Sequence, residues 1–294
     1  MEGSVFYMDR HTVILTTDKR QEKLASLLEG EKTSYAWEEN TLEKEVCEKV
    51  YVLPIPVAKL DRNQEIKKKL KEELRKLCNN PYSKVKVFGG VFNTEWELFL
   101  SEYQIPYWDF MKLPEVVEGN GWITAEGVVA ELLQYGEYSI YGQKILVTGY
   151  GCCGEKIVKI LSKLGAEIIV AARRLEVREA IQREGFQAIA FTDMEKMAGD
   201  VSAVINTVPA MVVTESCIRR LQPNACIIDI ASAPGGTDFE AAKKYGITAK
   251  LSLGLPGIYT TTSSAKLLKN AISKYAPLNN EVREGKSWIF QIII

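Results

Sequence analysis

A single histidine, His11, stands in a chain of 294 residues, and that scarcity removes several chemistries at once. No Ser-His-Asp or Cys-His arrangement can be assembled in the second half of the chain, and no histidine is there to act as general acid beside a nicotinamide. His11 itself reads as a strand-flanking surface residue. The six cysteines (Cys47, Cys78, Cys152, Cys153, Cys217, Cys226) contain no C-x-x-C pair, which argues against zinc and against a disulfide framework, so no metal is expected. They read as reduced small hydrophobes. Adjacent Cys152 and Cys153 read either as packing residues or as a redox pair. Neither sign of charge is in excess: 37 Lys and Arg against 38 Asp and Glu leave a net charge of −1. With no basic stripe and no aromatic–basic interleaving, nucleic acid is not an expected partner. No apolar run approaches membrane-spanning length, and the N-terminus shows no charged region followed by an apolar stretch. A cytoplasmic protein with no membrane partner is the expectation.

What is present is organised around residues 142–174. Lys144 to Thr148 is a short apolar run rich in β-branched residues, the pattern of a buried parallel strand. Gly149, Gly151 and Gly154 follow at G-x-G-x-x-G spacing, and Ile157, Val158, Ile160, Leu161 and Leu164 then recur on one helical face. Gly165 stops the helix and Glu167 to Ala171 starts a second strand. The tripeptide pattern is weak alone, but a strand before it and a helix after it are the context a dinucleotide site demands. Gly149 allows the turn, Gly151 lets a pyrophosphate approach the backbone, and Gly154 lets helix and strand pack closely. Tyr150, Cys152 and Cys153 fill the same loop.

The end of the second strand speaks to the choice of dinucleotide. An NAD site places Asp or Glu there to hold the ribose 2′-OH. This chain has Ala172, Arg173 and Arg174, with no carboxylate to repel a 2′-phosphate and two guanidiniums to pair with it. NADP(H) is the expected cofactor, with NAD(H) as the alternative.

Length and a 46% hydrophobic content allow one large or two ordinary domains, and two are expected, at 1–118 and 119–294. Before the glycine motif, strands are expected at Thr12 to Thr16, Val50 to Leu53, Lys84 to Phe88 and Ile105 to Trp108. Helices are expected at Lys19 to Leu28, closed by Gly30, at Gln64 to Leu77 and at Trp96 to Leu100. Gly89-Gly90 reads as a plain loop or a ligand-facing turn. Gly119, Asn120 and Gly121 break the pattern, and Thr124 to Tyr135 reads as a helix bridging the domains. Thr124 and Glu126 near its start are candidate ligand contacts, or simply a helix cap. The fold class is therefore α/β: two open parallel-sheet domains, the second of the Rossmann type, joined by a bridging helix.

Two further loops leave the carboxyl ends of expected strands, where open parallel sheets bind ligands. Asn206, Thr207, Val208 and Pro209 follow Val201 to Ile205 and are placed near the nicotinamide. Ser232, Ala233, Pro234, Gly235, Gly236 and Thr237 follow Ala225 to Ile230 and offer backbone N–H groups and two hydroxyls to an anionic substrate. Each loop also reads as an ordinary turn. The last strand is expected at Thr248 to Leu253, a closing helix at Ala265 to Tyr275, and the apolar tail Trp288 to Ile294 fits a strand or a homo-oligomer contact.

Gly149-Tyr-Gly-Cys-Cys-Gly154, Ile205-Asn-Thr-Val-Pro209, Asp229-Ile-Ala-Ser-Ala-Pro-Gly-Gly-Thr-Asp-Phe239 and Gly254-Leu-Pro-Gly-Ile258, in this order, resemble the family of dipicolinate synthase A components, and Thr124-Ala-Glu-Gly127 matches as well. The resemblance is specific over residues 120–258 and general before that. It implies a flavodoxin-like N-terminal domain and NADP-linked dehydrogenation of a dihydrodipicolinate precursor, a small dicarboxylate, to dipicolinate. It also implies the second, flavoprotein subunit of dipicolinate synthase as partner and a place in the mother cell of a spore-forming bacterium. Asn206, Ser232 and Thr237 are the residues nearest the expected chemistry, which needs positioning of two carboxylates more than acid–base help because the ring aromatises. No general base is named. One departure stands out: the family's run after Ile258 would be Val-Ala-Pro-Lys-Thr-Ala-Gly, and here Tyr259-Thr-Thr-Thr-Ser-Ser-Ala265 puts Thr262 in the lysine's place. Thr262 is then expected to meet a substrate carboxylate through its hydroxyl. The alternatives are an oxidoreductase of another small carboxylate and a non-catalytic NADP-binding partner protein.

Overall fold

The computed structural model describes residues 9–28, 31–34, 47–81, 83–277 and 287–293. The chain forms two compact units, one of Met1–Gly119 with Thr260–Ile294 and one of Asn120–Tyr259. In the first unit β1 (Asp9–Thr16), α1 (Lys19–Leu27), β2 (Glu31–Ser34) and β3 (Cys47–Val52) come first. A 3-10 turn at Val57–Arg62, α2 (Gln64–Cys78), β4 (Lys84–Gly89), α3 (Thr94–Glu102) and β5 (Tyr107–Asp109) follow. The helix α4 (Pro114–Tyr135) leads into the second unit. There β6 (Lys144–Thr148), α5 (Cys152–Lys163), β7 (Glu167–Ala171), α6 (Leu175–Arg183), β8 (Gln187–Ile189) and α7 (Met194–Met197) are followed by β9 (Ala203–Asn206). The unit ends with α8 (Glu215–Ile218), β10 (Cys226–Asp229), α9 (Phe239–Lys244), β11 (Thr248–Leu251) and α10 (Leu255–Ile258). Two elements, α11 (Thr261–Tyr275) and β12 (Ser287–Ile293), belong to the first unit again.

The first sheet has the order β2-β12-β1-β3-β4-β5, with every pair parallel. Its two faces bury separate cores. Leu24 of α1 and Leu268 and Ile272 of α11 pack on one with Ile14 and Val50, while Leu70 and Leu74 of α2 and Trp96 of α3 pack on the other with Val13 and Tyr51. The outer face of α2 is solvated and laced with i,i+4 pairs such as Lys69–Glu65 at 2.8 Å. The second sheet has the order β11-β10-β9-β6-β7-β8, again all parallel. That is the 3-2-1-4-5-6 strand order of dinucleotide-binding folds, with its switch point between β6 and β9.

Several expectations change. The whole of 119–294 was expected to form one domain, but Thr260–Ile294 returns to the first unit because α11 and β12 have their apolar partners there. The tail is a strand, and it is inserted between β2 and β1, with Thr12 opposite Ile289 and Thr16 opposite Ile293. The Gly119–Gly121 break is no break: α4 runs through it. A Cβ on Gly119 would lie 2.6 Å from Leu267 Cδ1, and one on Gly121 would lie 3.0 Å from Cys152 Sγ. These glycines permit close packing inside a helix, and a sequence pattern read for periodicity takes them for a loop. Thr124 and Glu126 therefore lie in mid-helix and cap nothing. At Gly89 and Gly90, Cβ atoms would meet Phe92 Cζ and Ile55 Cγ2 at 2.8 Å, so these two glycines serve packing against the 55–57 segment. Gly30 lies outside the described residues.

Candidate functional site

The carboxyl ends of β6 and β9 build the centre of the second unit's site. Gly149 turns off β6 with φ +86°, and its N–H donates to Ala171 O at 2.8 Å. A side chain there would meet Thr207 Oγ1 at 2.5 Å, and a Cβ on Gly154 would meet Gly149 O in outright overlap. Gly151 is different: it caps α5 with an extended φ of −86°, and nothing lies within 4 Å of where its Cβ would stand. The first and third glycines are thus required by the protein's own packing, and the middle one faces open space at the N-terminus of a twelve-residue helix. This is the cradle a pyrophosphate needs: backbone N–H groups, the positive end of a helix, and no side chain in the way.

The flanks of the loop are set by side chains. Tyr150 donates its hydroxyl to Glu184 at 3.0 Å, and partial burial together with that carboxylate pushes the phenol well above its usual range. Burial raises the Cys153 thiol despite a hydrogen bond to Thr124, which makes it a poor thiolate source and favours the packing role. Burial likewise pushes Cys217 and Cys226 up to about 11. The five cysteines whose side chains are described are all free thiols.

At the end of β7, Ala172 is buried while Arg173 and Arg174 are exposed. Their loop is held by a residue sequence reasoning missed. Arg178 Nη1 donates to the carbonyls of Ala172 (2.9 Å) and Arg173 (2.7 Å), which fixes the backbone from which both exposed guanidiniums project. The signal was one helical turn downstream, an arginine placed to cap carbonyls that leave a strand.

Asn206 does not present its amide to a ligand. It is fully buried; Oδ1 accepts from Thr148 Oγ1 (2.5 Å) and Val208 N (3.1 Å), and Nδ2 donates to Val208 O (3.1 Å). Its work is to hold the turn that carries Thr207, Val208 and Pro209. Thr207 is half-buried, and its hydroxyl donates to Thr148 O at 2.7 Å.

The Ser232–Thr237 loop is tied to this turn. Buried Asp229 accepts from Ala231 N (2.9 Å) and Gly236 N (3.2 Å), so it clasps both ends of the loop. Gly235 N donates to Ser232 O, and a Cβ on Gly236 would overlap Val208 O. The N–H groups of Gly235 and Gly236 are therefore engaged inside the protein, contrary to the expectation that they face an anion. What the loop offers is the exposed Ser232 side chain and, beneath it, Thr237 Oγ1, which is buried and has no partner.

A second missed group lies further on. Glu131 of α4, 5% exposed, accepts from Ser252 Oγ at 2.5 Å and from Tyr259 OH at 2.9 Å. These bonds clamp both ends of the Gly254-Leu-Pro-Gly257 segment to α4, where Gly127 leaves room for Leu255. Separations of 121 and 128 residues gave a linear reading nothing to find. Thr262 lies in the first turn of α11, exposed and in the first unit, not in the unit that holds Ser232 and Thr237. Glu126 is exposed and Thr124 half-buried. Among the described residues no cluster of side chains suits a metal ion, and no helix is long and apolar enough to cross a membrane.

Comparison with known proteins gives these features a context. The family model for the NAD binding domain of D-isomer specific 2-hydroxyacid dehydrogenases matches residues 112–234. The A component of dipicolinate synthase from Bacillus subtilis (strain 168) is 30% identical over 200 residues, 68% of this chain and 67% of that protein. Among solved structures, the same component from Bacillus halodurans superposes with a TM-score of 0.72 at 23% identity, covering 92% of this chain and 98% of that one. Its counterpart from Bacillus subtilis gives 0.70 at 22% identity, with coverages of 93% and 97%. The chain thus carries a nicotinamide-dinucleotide-binding domain of oxidoreductase type.

Proposed function

Because the chain belongs to the family of dipicolinate synthase A components, we propose that it is an NADP-linked oxidoreductase that converts a dihydrodipicolinate precursor to dipicolinate. The observation that carries this reading is the open cradle at Gly151, framed by two glycines that the packing demands and followed by the Arg173–Arg174 pair. When bound, the cofactor supplies a hydride acceptor at the nicotinamide ring. The chain's own residues bind and orient. Gly149, Gly151 and Gly154, with Tyr150, Cys152 and Cys153, hold the pyrophosphate; Ala172, Arg173 and Arg174 hold the 2′-phosphate; Thr207, Val208 and Pro209, steadied by Asn206, bound the nicotinamide side.

Ser232 and Thr237 supply hydroxyls for one substrate carboxylate, with Gly235 and Gly236 shaping the loop that carries them. Thr124 and Glu126 are further substrate-contact candidates. Because aromatisation drives hydride loss, positioning and exclusion of water suffice where no histidine is available. The partner proposed from the family is the flavoprotein subunit of the synthase, and the place is the cytoplasm of a sporulating mother cell.

The reaction is tested by turnover of enzymatically generated dihydrodipicolinate with NADP⁺, with and without the candidate flavoprotein. NADPH and dipicolinate are expected to appear in equal amounts. Cofactor binding without product in both arms would favour a non-catalytic NADP-binding partner protein, the reading suggested by Thr262 in place of lysine.

Cofactor choice has its own test. One charge-assisted pair to a 2′-phosphate contributes on the order of 1.5–3 kcal/mol, so NADP(H) is expected to bind at least about tenfold more tightly than NAD(H). Fluorescence titration of both cofactors measures the ratio, and Arg173→Ala with Arg174→Ala should bring it near unity. Arg178→Ala should lower it as well, by releasing the loop, although Arg178 directs its donors to backbone. Equal dissociation constants in the unaltered protein would remove the role given to the arginines.

A further inference from the structure

The first unit carries a group of charges that has no part in the proposed dinucleotide chemistry. Arg20, in the first turn of α1, is only 5% exposed, and its Nε is buried with no hydrogen-bond partner. Among the described residues its acid neighbour is Asp18, with Nη2 at 3.4 Å from Oδ2. Lys59, on the 3-10 turn after β3, reaches the same oxygen at 3.6 Å and Thr17 Oγ1 at 3.2 Å. The two cations therefore converge on one carboxylate oxygen. Asp18 is not wholly theirs, since its Oδ1 caps α1 by accepting from Gln21 N at 3.0 Å. Asp61, beside Arg62 in the chain, is engaged by Lys67 at 2.7 Å. Burial pushes the pKa of both Arg20 and Lys59 down, and Asp18 only partly offsets it.

The place of this group in the fold matters as much as its charge. From β1 the chain passes through α1, on one face of the sheet, to β2; from β3 it passes through α2, on the other face, to β4. The gap between the carboxyl ends of β1 and β3 is therefore the switch point of the first sheet, where open parallel sheets receive ligands. Asp18 and Arg20 follow β1, and Lys59 follows β3. Gln21 braces the two loops: its Oε1 accepts from Thr17 N and Oγ1, both at 3.0 Å, and its Nε2 donates to Leu53 O at 3.0 Å.

We propose that Arg20 and Lys59, at the β1/β3 switch point, form a receptor for the carboxylate of a small organic acid. Arg20 and Lys59 outnumber Asp18, and Arg62 is close enough to push Lys59 further down, so the group carries an excess of positive charge that a carboxylate offsets. A guanidinium with a buried unpaired N–H is a planar donor suited to a carboxylate edge. The site stands on the first unit's geometry alone, and only the choice of dipicolinate as one probe rests on the proposed reaction.

The experiment is calorimetry and thermal unfolding of the full chain with dipicolinate, malonate and inorganic phosphate as separate probes. The unaltered protein is expected to bind malonate and dipicolinate more tightly than phosphate and to gain melting temperature with either acid. In Arg20→Gln and in Lys59→Met, malonate affinity should fall at least about tenfold, the scale of one charge-assisted contact. NADP(H) affinity should stay unchanged. Without any acid present, Arg20→Gln should melt no lower than the unaltered protein, because it removes an under-neutralised buried charge, whereas a purely structural arginine would give a lower melting temperature. If Arg20→Gln fails to fold, Lys59→Met decides. Unchanged malonate binding in that variant, tighter binding of phosphate than of either acid, or no carboxylate binding at about millimolar concentration would overturn the proposal. Malonate binding through Arg20 without any turnover would leave this site standing and remove the proposed reaction. Turnover with malonate binding untouched by both variants would do the reverse.

Discussion

Replacing Gly151 by valine is expected to abolish dinucleotide binding while the protein stays folded. The two halves of that result come from the same geometry. The backbone at Gly151 is extended, with φ −86° and ψ −167°, a conformation that a β-branched residue adopts without strain. No heavy atom lies within 4 Å of the new Cβ, so the protein has nothing to rearrange. A pyrophosphate at the start of α5 would have to occupy the same space. Losing two or so charge-assisted N–H contacts costs on the order of 3 kcal/mol or more, a hundredfold or greater loss of affinity. Gly154→Ala should behave in the opposite way. Its Cβ would overlap Gly149 O, a backbone atom that cannot step aside, so the loop must deform and the melting temperature should fall. Circular dichroism and NADP(H) titration on both variants separate the cases. A folded Gly151→Val protein with unaltered NADP(H) affinity would place the cofactor elsewhere.

These two glycines also show what a sequence can reveal. The strand–glycine–helix–strand unit was legible because its signals are local: β-branched residues in Lys144–Thr148, glycines at fixed spacing, and an apolar stripe on α5. The alternation that followed gave the sheet class for the same reason. Long-range packing was not legible. Gly119 and Gly121 look like a linker in a linear reading, yet they are helical because Leu267 and Cys152 press on them. The tail 287–293 is a central strand of the first sheet, and no local feature of an apolar heptad says which strands it will join.

The candidate site divides in the same manner. Glycine and arginine positions could be read from the motif and its spacing, whereas the direction of each polar side chain could not. Asn206 was expected to meet a ligand and instead commits its whole amide to Thr148 and Val208. Arg178, Glu131 and Arg20 were passed over, because an arginine or glutamate in an amphipathic helix looks solvated until the neighbouring strands and loops are in place.

Asp229 offers the sharpest test of how the two ligand loops depend on one buried side chain. Its carboxylate lies at the end of β10 with no exposure, one oxygen accepting from Ala231 N and the other from Gly236 N. In Asp229→Ala both N–H groups would remain buried and lose their charged acceptor, and an unmade bond of that kind costs roughly 1–3 kcal/mol. The unfolding free energy of the second unit should therefore fall by about 2–5 kcal/mol in a urea titration, less if water enters the space. Asp229→Asn keeps one acceptor but points an amide N–H at the other donor, so it should fall between the two. The consequence should not stop at the Ser232–Thr237 loop. Gly236 packs on Val208 O and Ala210 O, and its own carbonyl accepts from Val212 N and Val213 N, so loosening one loop frees the turn that Asn206 braces from beneath. Dinucleotide affinity should drop modestly, by less than about tenfold, because the Gly151 cradle and the arginines lie on other strands. Substrate-dependent turnover should suffer far more. An Asp229→Ala protein as stable as its parent would mean that the two N–H groups find other partners, and the loop would then take its shape from something besides this carboxylate.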